Sequence, residues 1–138
     1  MASIYEEIVT LATPSQAWQA VRDIGALHTR LVPGFVTHTQ LEGSTRIVTF
    51  GNGMVVREPI ITVDDTHRRL VWGAESERLT HYNASVQVFE SGTGSRIVWI
   101  ADLLPDNAAS FIQSMMQSGM AAMKRALDET NHDSNSKD

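Results

Sequence analysis

The side chains most able to do chemistry are one glutamate and one tyrosine that lie among apolar strand residues. Glu58 alternates with apolar residues in the segment 54–63, and Tyr82 does so in the segment 80–89. Successive strand residues point to opposite faces, so this spacing predicts that both side chains lie on the apolar face of a sheet. Burial raises the pKa of a carboxyl group, which can then act as a general acid or base near neutral pH.

The sequence leaves three interpretations of Glu58 open. It could transfer protons, it could anchor a polar group of a bound ligand, or it could be a surface residue. In the last case it could also pair with Arg46, Arg57 or Arg78. Tyr82 has two interpretations, because its hydroxyl could donate a hydrogen bond to a ligand carbonyl or enolate, or could lie at the rim with its ring in the core.

Each of the four predicted central strands has one face that is mainly apolar. The opposite parity in segment 54–63 would turn Arg57, Pro59 and Ile61 inward, and a one-residue bulge would invert any of these assignments. The predicted inward residues are Met54, Val56, Glu58, Ile60, Thr62, Leu70, Trp72, Ala74, Tyr82, Ala84, Val86, Val88, Ile97, Trp99, Ala101 and Leu103.

Two tryptophans belong to these inward sets. Trp72 and Trp99 could stack on a flat ligand, and packing in an ordinary core would place them on the same face. Both interpretations stay open from the sequence.

The segment 106–129 is predicted to form one long closing helix with a methionine-rich apolar face. At about 100° per residue its apolar positions form a stripe along one side. Methionine is flexible and polarisable, so this face could be an ordinary core surface or could close over a cavity. The stripe consists of Ala108, Phe111, Ile112, Met115, Met116, Gly119, Met120, Met123, Ala126 and Leu127.

Composition excludes several classes of function. The net charge of −5 argues against nucleic acid or an anionic membrane surface as the main partner. The chain has no cysteine, which excludes disulfides and thiolate chemistry. No apolar run reaches the roughly 20 residues of a membrane span, and the N-terminus does not look like a signal peptide, so we expect a cytoplasmic protein.

The histidines show no metal-site spacing, so we expect no metal and no cofactor. His28 and His38 are predicted near the junction of the short helices with the second strand. They could carry protons at the mouth of a cavity, or they could be solvated loop residues.

The order of elements predicts an α+β fold in a single domain. A first strand, 3–11, precedes two short helices; the first starts at Pro14 with Thr13 as its cap, and the second covers about 23–31. Six further strands follow at 35–41, 45–50, 54–63, 70–75, 80–89 and 95–103. We expect the domain to cover 1–129 and the polar tail 130–138 to be disordered.

This chain resembles the START-like superfamily of polyketide cyclases/dehydrases and lipid-transport proteins, known as SRPBCC. The resemblance covers about residues 3–128 and depends on the helix start at Pro14–Trp18, on the segment 56–72 and on the segment 92–106 that leads into the last helix. It implies the helix-grip fold, in which a curved seven-stranded antiparallel sheet wraps around the C-terminal helix and two short helices follow strand 1.

The resemblance also implies a hydrophobic cavity between sheet and helix. We therefore expect binding of a small hydrophobic or aromatic, lipid- or polyketide-like ligand; the alternative is a cyclase/dehydratase- or aromatase-type enzyme, with Glu58 and Tyr82 as weak catalytic candidates. A partner-binding module is a third class, and the protein could be a monomer or a homodimer. The predicted ligand-binding residues are Glu58, Trp72, Tyr82, Trp99, Phe111, Met115, Met116 and Gly119.

Overall fold

A computed structural model describes residues 1–136, with side chains as far as residue 130. Short helical turns cover Ile24–Ala26, Leu27–Leu31 and Asp106–Ala108. The main elements are β1 (Ala2–Thr10), α1 (Pro14–Arg22), β2 (Val36–Glu42), β3 (Thr45–Phe50), β4 (Val55–Asp64), β5 (Arg69–Gly73), β6 (His81–Ser91), β7 (Gly94–Leu104) and α2 (Ala109–Ser136).

The start of α1 follows from its first four residues. The Thr13 hydroxyl accepts a hydrogen bond from the backbone N–H of Gln16 at 3.2 Å, and the Gln16 side chain accepts one from the backbone N–H of Thr13 at 2.9 Å. This reciprocal capping box satisfies two backbone donors that the first helical turn leaves free. Pro14 occupies the first helical turn, so the predicted cap and helix start are confirmed.

The strands form one antiparallel sheet in the order β1-β7-β6-β5-β4-β3-β2. From β2 to β7, each strand pairs with the next strand along the chain, whereas β1 pairs with β7, the last strand. The α+β class, the seven-stranded sheet and the two short helical segments after strand 1 are confirmed.

The register fixes which side of each strand faces α2. Tyr82 lies opposite Leu103, and Trp72 lies opposite Ala84. Leu103 and Ala84 are buried in the core, so both aromatic side chains lie on the inner face as predicted. Glu58 is also on this face, because its neighbour Val56 lies opposite the fully buried Val48.

One inward assignment is wrong. The pairing of β4 with β5 shifts between Ile60, which lies opposite Trp72, and Thr62, which lies opposite Val71. This irregularity turns Thr62 to the outer face, where it is exposed. A bulge reverses the alternation beyond it, and the residue types around position 61 do not reveal where it occurs.

Helix α2 covers the inner face of the sheet with the predicted apolar stripe. Met116, Met120, Met123 and Leu127 are buried among the core residues. The helix differs from prediction at its ends: the segment 106–108 forms a tighter turn, and α2 continues beyond residue 129 to Ser136. Residues 130–136 contain no glycine or proline to end a helix, while the tail residues 137–138 lie outside the described residues.

The C-terminal part of α2 is tied to the end of β1. The Asp128 carboxylate accepts hydrogen bonds from the Thr10 hydroxyl at 2.6 Å and from the backbone N–H of Leu11 at 2.9 Å. Lys124 donates to the carbonyl of Val9 at 2.6 Å. Burial alone would raise the pKa of Asp128, but the hydrogen bonds from Thr10 and Leu11 and the Lys124 ammonium 3.2 Å away outweigh it and lower the pKa. They fix the helix across the sheet.

Candidate functional site

A cavity of about 440 Å³ lies between α2 and the inner face of the sheet. This volume is within the range of small-molecule sites, which are typically apolar with a few polar groups. Its wall residues are Val21, Leu27, Leu31, Val32, Phe35, Val36, Arg46, Phe50, Met54, Val56, Glu58, Leu70, Trp72, Ala74, Ser76, Arg78, Leu79, Tyr82, Val86, Trp99, Asn107, Ala108, Phe111, Ile112, Met115, Met116 and Met123.

The only ion pair on the cavity wall among the described residues joins Arg46 to Glu58. The Arg46 Nε donates to Glu58 Oε1 at 2.7 Å, and the two residues lie directly opposite each other on β3 and β4. Arg46 is 3% exposed and Glu58 is 7% exposed. Because water hardly reaches this pair, its charges are weakly screened. Each buried charge is therefore compensated mainly by the other, through their short hydrogen bond.

The environment of Glu58 has two opposing effects on its pKa. Burial raises the pKa of this carboxyl group, and the charge and hydrogen bond of Arg46 lower it; burial has the larger effect. The nearby indole N–H of Trp72 also favours the ionised form, but it does not reach an acceptor with normal hydrogen-bond geometry. Glu58 is therefore a carboxyl group that gains a proton more readily than an exposed glutamate does.

Tyr82 lies next to this pair and remains protonated. Burial, followed by the nearby charge of Glu58, raises the pKa of its hydroxyl well above the ordinary value. A neutral phenol can donate one hydrogen bond and accept others. Tyr82 is therefore suited to orienting a polar group and not to acting as a base at neutral pH.

The two inward tryptophans form one side of the cavity. The rings of Trp72 and Trp99 are 6.0 Å apart between centroids and tilted by 50°. The guanidinium carbon of Arg46 lies 5.1 Å from the centre of the Trp72 ring, which is within the range of a cation–π contact. Among the described side chains, these two indole N–H groups are the polar atoms that are fully enclosed by the protein and have no hydrogen-bond partner.

Gly119 has a different role from the one predicted. The sequence predicts Gly119 as a ligand-binding residue, but it is not among the cavity-wall residues. A Cβ atom at this position would lie 2.8 Å from Trp99 Cζ3 and 3.1 Å from Phe35 Cε2. The space beside Gly119 is therefore filled by two aromatic rings, and the missing side chain lets α2 approach them.

The other seven predicted ligand-binding residues are brought together at this cavity. Four of them come from the sheet and three from α2, although Phe111 is 41% exposed and lies at the outer end. They are Glu58, Trp72, Tyr82, Trp99, Phe111, Met115 and Met116.

Sequence reasoning missed Arg46 as a residue of the site and considered it only as one of three partners for Glu58. The signal was present, because Arg46 alternates with Val48 and Phe50 in a short strand. That spacing places all three on one face. An arginine is rarely fully buried unless it is paired, which favours the surface interpretation when the partner is unknown.

The histidines near the short helices are not part of the site. His28 Nδ1 lies 3.2 Å from the Thr39 hydroxyl, and the rings of His28 and His38 are 5.8 Å apart. Neither residue is on the cavity wall. Within the described side chains, no three histidine, aspartate or glutamate residues cluster as metal ligands.

No helix within the described residues is both long and apolar enough to cross a membrane.

A family model described as polyketide cyclase / dehydrase and lipid transport matches residues 1–128. No curated protein resembles the chain closely enough in sequence to count as a match.

Solved structures reproduce the fold at low sequence identity. The protein XoxI from Bacillus cereus superposes with a TM-score of 0.82 at 20% identity, over 92% of this chain and 96% of that chain. A START superfamily protein from Mycobacterium smegmatis gives 0.73 at 10% identity, over 95% and 97%. A norcoclaurine synthase point mutant from Thalictrum, solved with a transition-state analogue, gives 0.71 at 20% identity, over 97% and 96%.

Proposed function

Because the chain belongs to the polyketide cyclase/dehydrase and lipid transport family, we propose that it binds a small hydrophobic or aromatic molecule between α2 and the sheet. The observation that carries this proposal is the cavity of about 440 Å³ with a mainly apolar wall. Burial of ligand hydrocarbon or ring surface would contribute roughly 25 cal/mol per Å² before entropic costs. The Arg46–Glu58 pair and the Tyr82 hydroxyl would orient the ligand.

A direct test combines native mass spectrometry of the purified protein with a thermal-shift panel of hydrophobic compounds. We expect a bound small molecule or a raised melting temperature with at least one neutral apolar compound, because a ligand that binds only the folded state stabilises it. A protein that carries no small molecule and whose melting temperature no compound shifts would contradict the proposal.

Filling the cavity from the sheet should weaken binding. Val86 is buried, lies on the cavity wall and points inward from β6, opposite Trp99. We expect Val86→Trp to weaken binding of the neutral fluorescent probe N-phenyl-1-naphthylamine at least tenfold, because the indole would occupy ligand space. Fluorescence titration measures this effect.

The matched control is Ser85→Trp, one residue earlier on the same strand and on the outer face opposite Ile100. This variant should bind the probe as the unmodified protein does. Equal affinity of Val86→Trp and Ser85→Trp would show that the probe binds elsewhere.

A second candidate function is proton transfer on a polyketide-like substrate, in the manner of a cyclase, dehydratase or aromatase. The observation that favours it is the buried Glu58 carboxyl beside the neutral Tyr82 hydroxyl, since a carboxyl with a raised pKa can exchange protons near neutral pH. With a substrate in hand, Glu58→Gln and Tyr82→Phe should each reduce kcat. Unchanged turnover in both variants would remove these residues from the mechanism.

We also propose that the protein acts in the cytoplasm as a monomer or a homodimer without a cofactor. A chain without cysteine is compatible with a reducing compartment. Gel filtration with light scattering would distinguish the two assembly states.

A further inference from the structure

The buried ion pair on the cavity wall has hydrogen-bonding capacity that the protein does not use. Arg46 donates to Glu58 through Nε, and among the described residues neither of its terminal nitrogens, Nη1 and Nη2, has a hydrogen-bond partner. Glu58 accepts through Oε1, and Oε2 has no partner in that part of the chain. Both side chains are at least nine-tenths buried and both lie on the cavity wall. A guanidinium can make five N–H hydrogen bonds and a carboxylate accepts through both oxygens.

The pair therefore offers donors and an acceptor side by side while its net charge is zero. A carboxylate placed there would gain attraction from Arg46 and would meet repulsion from Glu58 at similar range. An ammonium group would be attracted by Glu58 and repelled by Arg46 at similar range. A neutral group with one acceptor and one donor avoids both repulsions and satisfies both partners, which matters because unpaired buried polar groups are costly.

The cavity wall has a second basic residue, Arg78, which does not change the zero net charge at the inner end of the cavity. Arg78 is exposed and its guanidinium carbon lies 5.9 Å from the centre of the Phe111 ring, which is at the outer end of the cavity. Exposed charges are screened by water and contribute little to an ion pair. Arg78 nevertheless defines a rival arrangement, in which a carboxylate ligand is held at the mouth.

We propose that the cavity selects a ligand whose buried head group is neutral and both accepts and donates a hydrogen bond, over a carboxylate or an ammonium on the same apolar skeleton. The acceptor faces the terminal nitrogens of Arg46, the donor faces Glu58, and the skeleton packs against Trp72 and Trp99. A carboxamide or a hydroxy-ketone has this chemistry. The inference rests on the proposed ligand-binding function and specifies its ligand class.

The experiment compares four heads on one ring system at pH 7.5: 2-naphthamide, 2-naphthoate, methyl 2-naphthoate and 2-naphthylmethylammonium. Isothermal titration calorimetry measures each Kd. We expect the amide to bind at least tenfold more tightly than the carboxylate and the ammonium, with the methyl ester between them because it only accepts. The same four head groups on a ten-carbon chain test whether the head group, and not the ring system, decides the order of affinities.

Two variants assign the selectivity to the ion pair. Glu58→Gln leaves Arg46 as a net positive charge, so the ratio of naphthoate to naphthamide affinity should rise at least tenfold. Arg46→Met combined with Glu58→Met removes both charges, and the amide and ester should then bind within about threefold of each other. If Glu58→Gln does not fold, the double variant alone decides.

The outcomes separate this inference from the proposed function. A carboxylate that binds as well as the amide overturns the inference, and loss of that carboxylate binding in Arg78→Gln would assign it to the mouth. An amide preference that persists in the double variant also overturns it. Failure of all four compounds, and of N-phenyl-1-naphthylamine, to bind would instead overturn the proposed function and the inference with it.

Discussion

Replacing Arg46 alone with methionine is expected to lower the free energy of unfolding by about 3–5 kcal/mol, because it leaves the Glu58 carboxylate buried without its partner. The pair is almost fully enclosed, and Arg46 provides the hydrogen bond of 2.7 Å that stabilises the ionised form of Glu58. Urea unfolding at pH 7 followed by circular dichroism measures the effect.

The loss of unfolding free energy in Arg46→Met should be larger at neutral pH than at acidic pH. Burial already raises the pKa of Glu58 in the unmodified protein, so the contribution of this group to stability is present below its ordinary pKa of 4.5 and is lost as pH rises through the folded-state value. Without Arg46 the pKa rises further. The deficit of Arg46→Met should therefore be largest at neutral pH and should shrink as pH approaches 4.5.

Three controls make this result specific. Arg57→Met, which breaks exposed pairs with Glu42 and Glu75 on the outer side of the sheet, should cost much less than Arg46→Met, because water screens exposed ion pairs. Glu58→Met leaves the arginine charged at all accessible pH values, so its deficit should not be relieved by acid. The double replacement of Arg46 and Glu58 should recover most of the loss, and an unrecovered double variant would show that packing and not charge dominates.

Replacing Met116 with alanine is expected to lower the free energy of unfolding by about 2–5 kcal/mol, whereas the same change at Met115 should cost less than about 1.5 kcal/mol. Met116 is 1% exposed and belongs to the core, while its neighbour Met115 is partly exposed. Both lie on the cavity wall, so the difference comes from the number of protein contacts that each thioether loses.

Thermal and urea unfolding of the two variants in parallel measures this difference. The pair is matched in residue type, helix and substitution, so helix propensity cancels in the comparison. Equal losses at both positions would mean that the methionine-rich face is uniformly packed. A larger loss at Met115 would place the packed side of α2 at a residue that the structure leaves partly exposed.

Strand alternation and helix periodicity were enough to predict the α+β fold class, while the helix-grip arrangement came from the family resemblance. The apolar spacing in segments 80–89 and 95–103 identified the inner faces of β6 and β7, and the apolar period of segment 106–129 identified the inner side of α2. These signals are local, because a backbone that alternates faces needs apolar residues at every second position wherever one face is buried.

The partner of Glu58 was not predictable in the same way. It depends on the register between β3 and β4, which the turn at 51–53 sets, and three arginines were compatible with pairing from the sequence. The irregularity near Thr62 was not predictable either, because no distinctive residue type marks the place where the alternation of faces changes. Such features result from pairing between distant residues, which a single sequence does not reveal.

The role of Gly119 shows another limit. Periodicity placed it correctly on the inner side of α2, where it is buried. An absent side chain leaves room either for a ligand or for a neighbouring ring, and the choice depends on how far Trp99 and Phe35 extend across the interior. A cavity and a filled core require the same apolar residues, so their spacing does not distinguish them.

The placement of the tryptophans gives the protein an internal optical reporter. Of its three indoles, that of Trp18 lies in α1 and donates a hydrogen bond to Asp65 at 2.8 Å, and the other two form one side of the cavity. The fluorescence of Trp72 and Trp99 is therefore emitted by side chains that a bound ligand would contact. A ligand that absorbs near 340 nm would accept this energy, so occupancy could be followed in the native chain by quenching of its intrinsic emission, without a label.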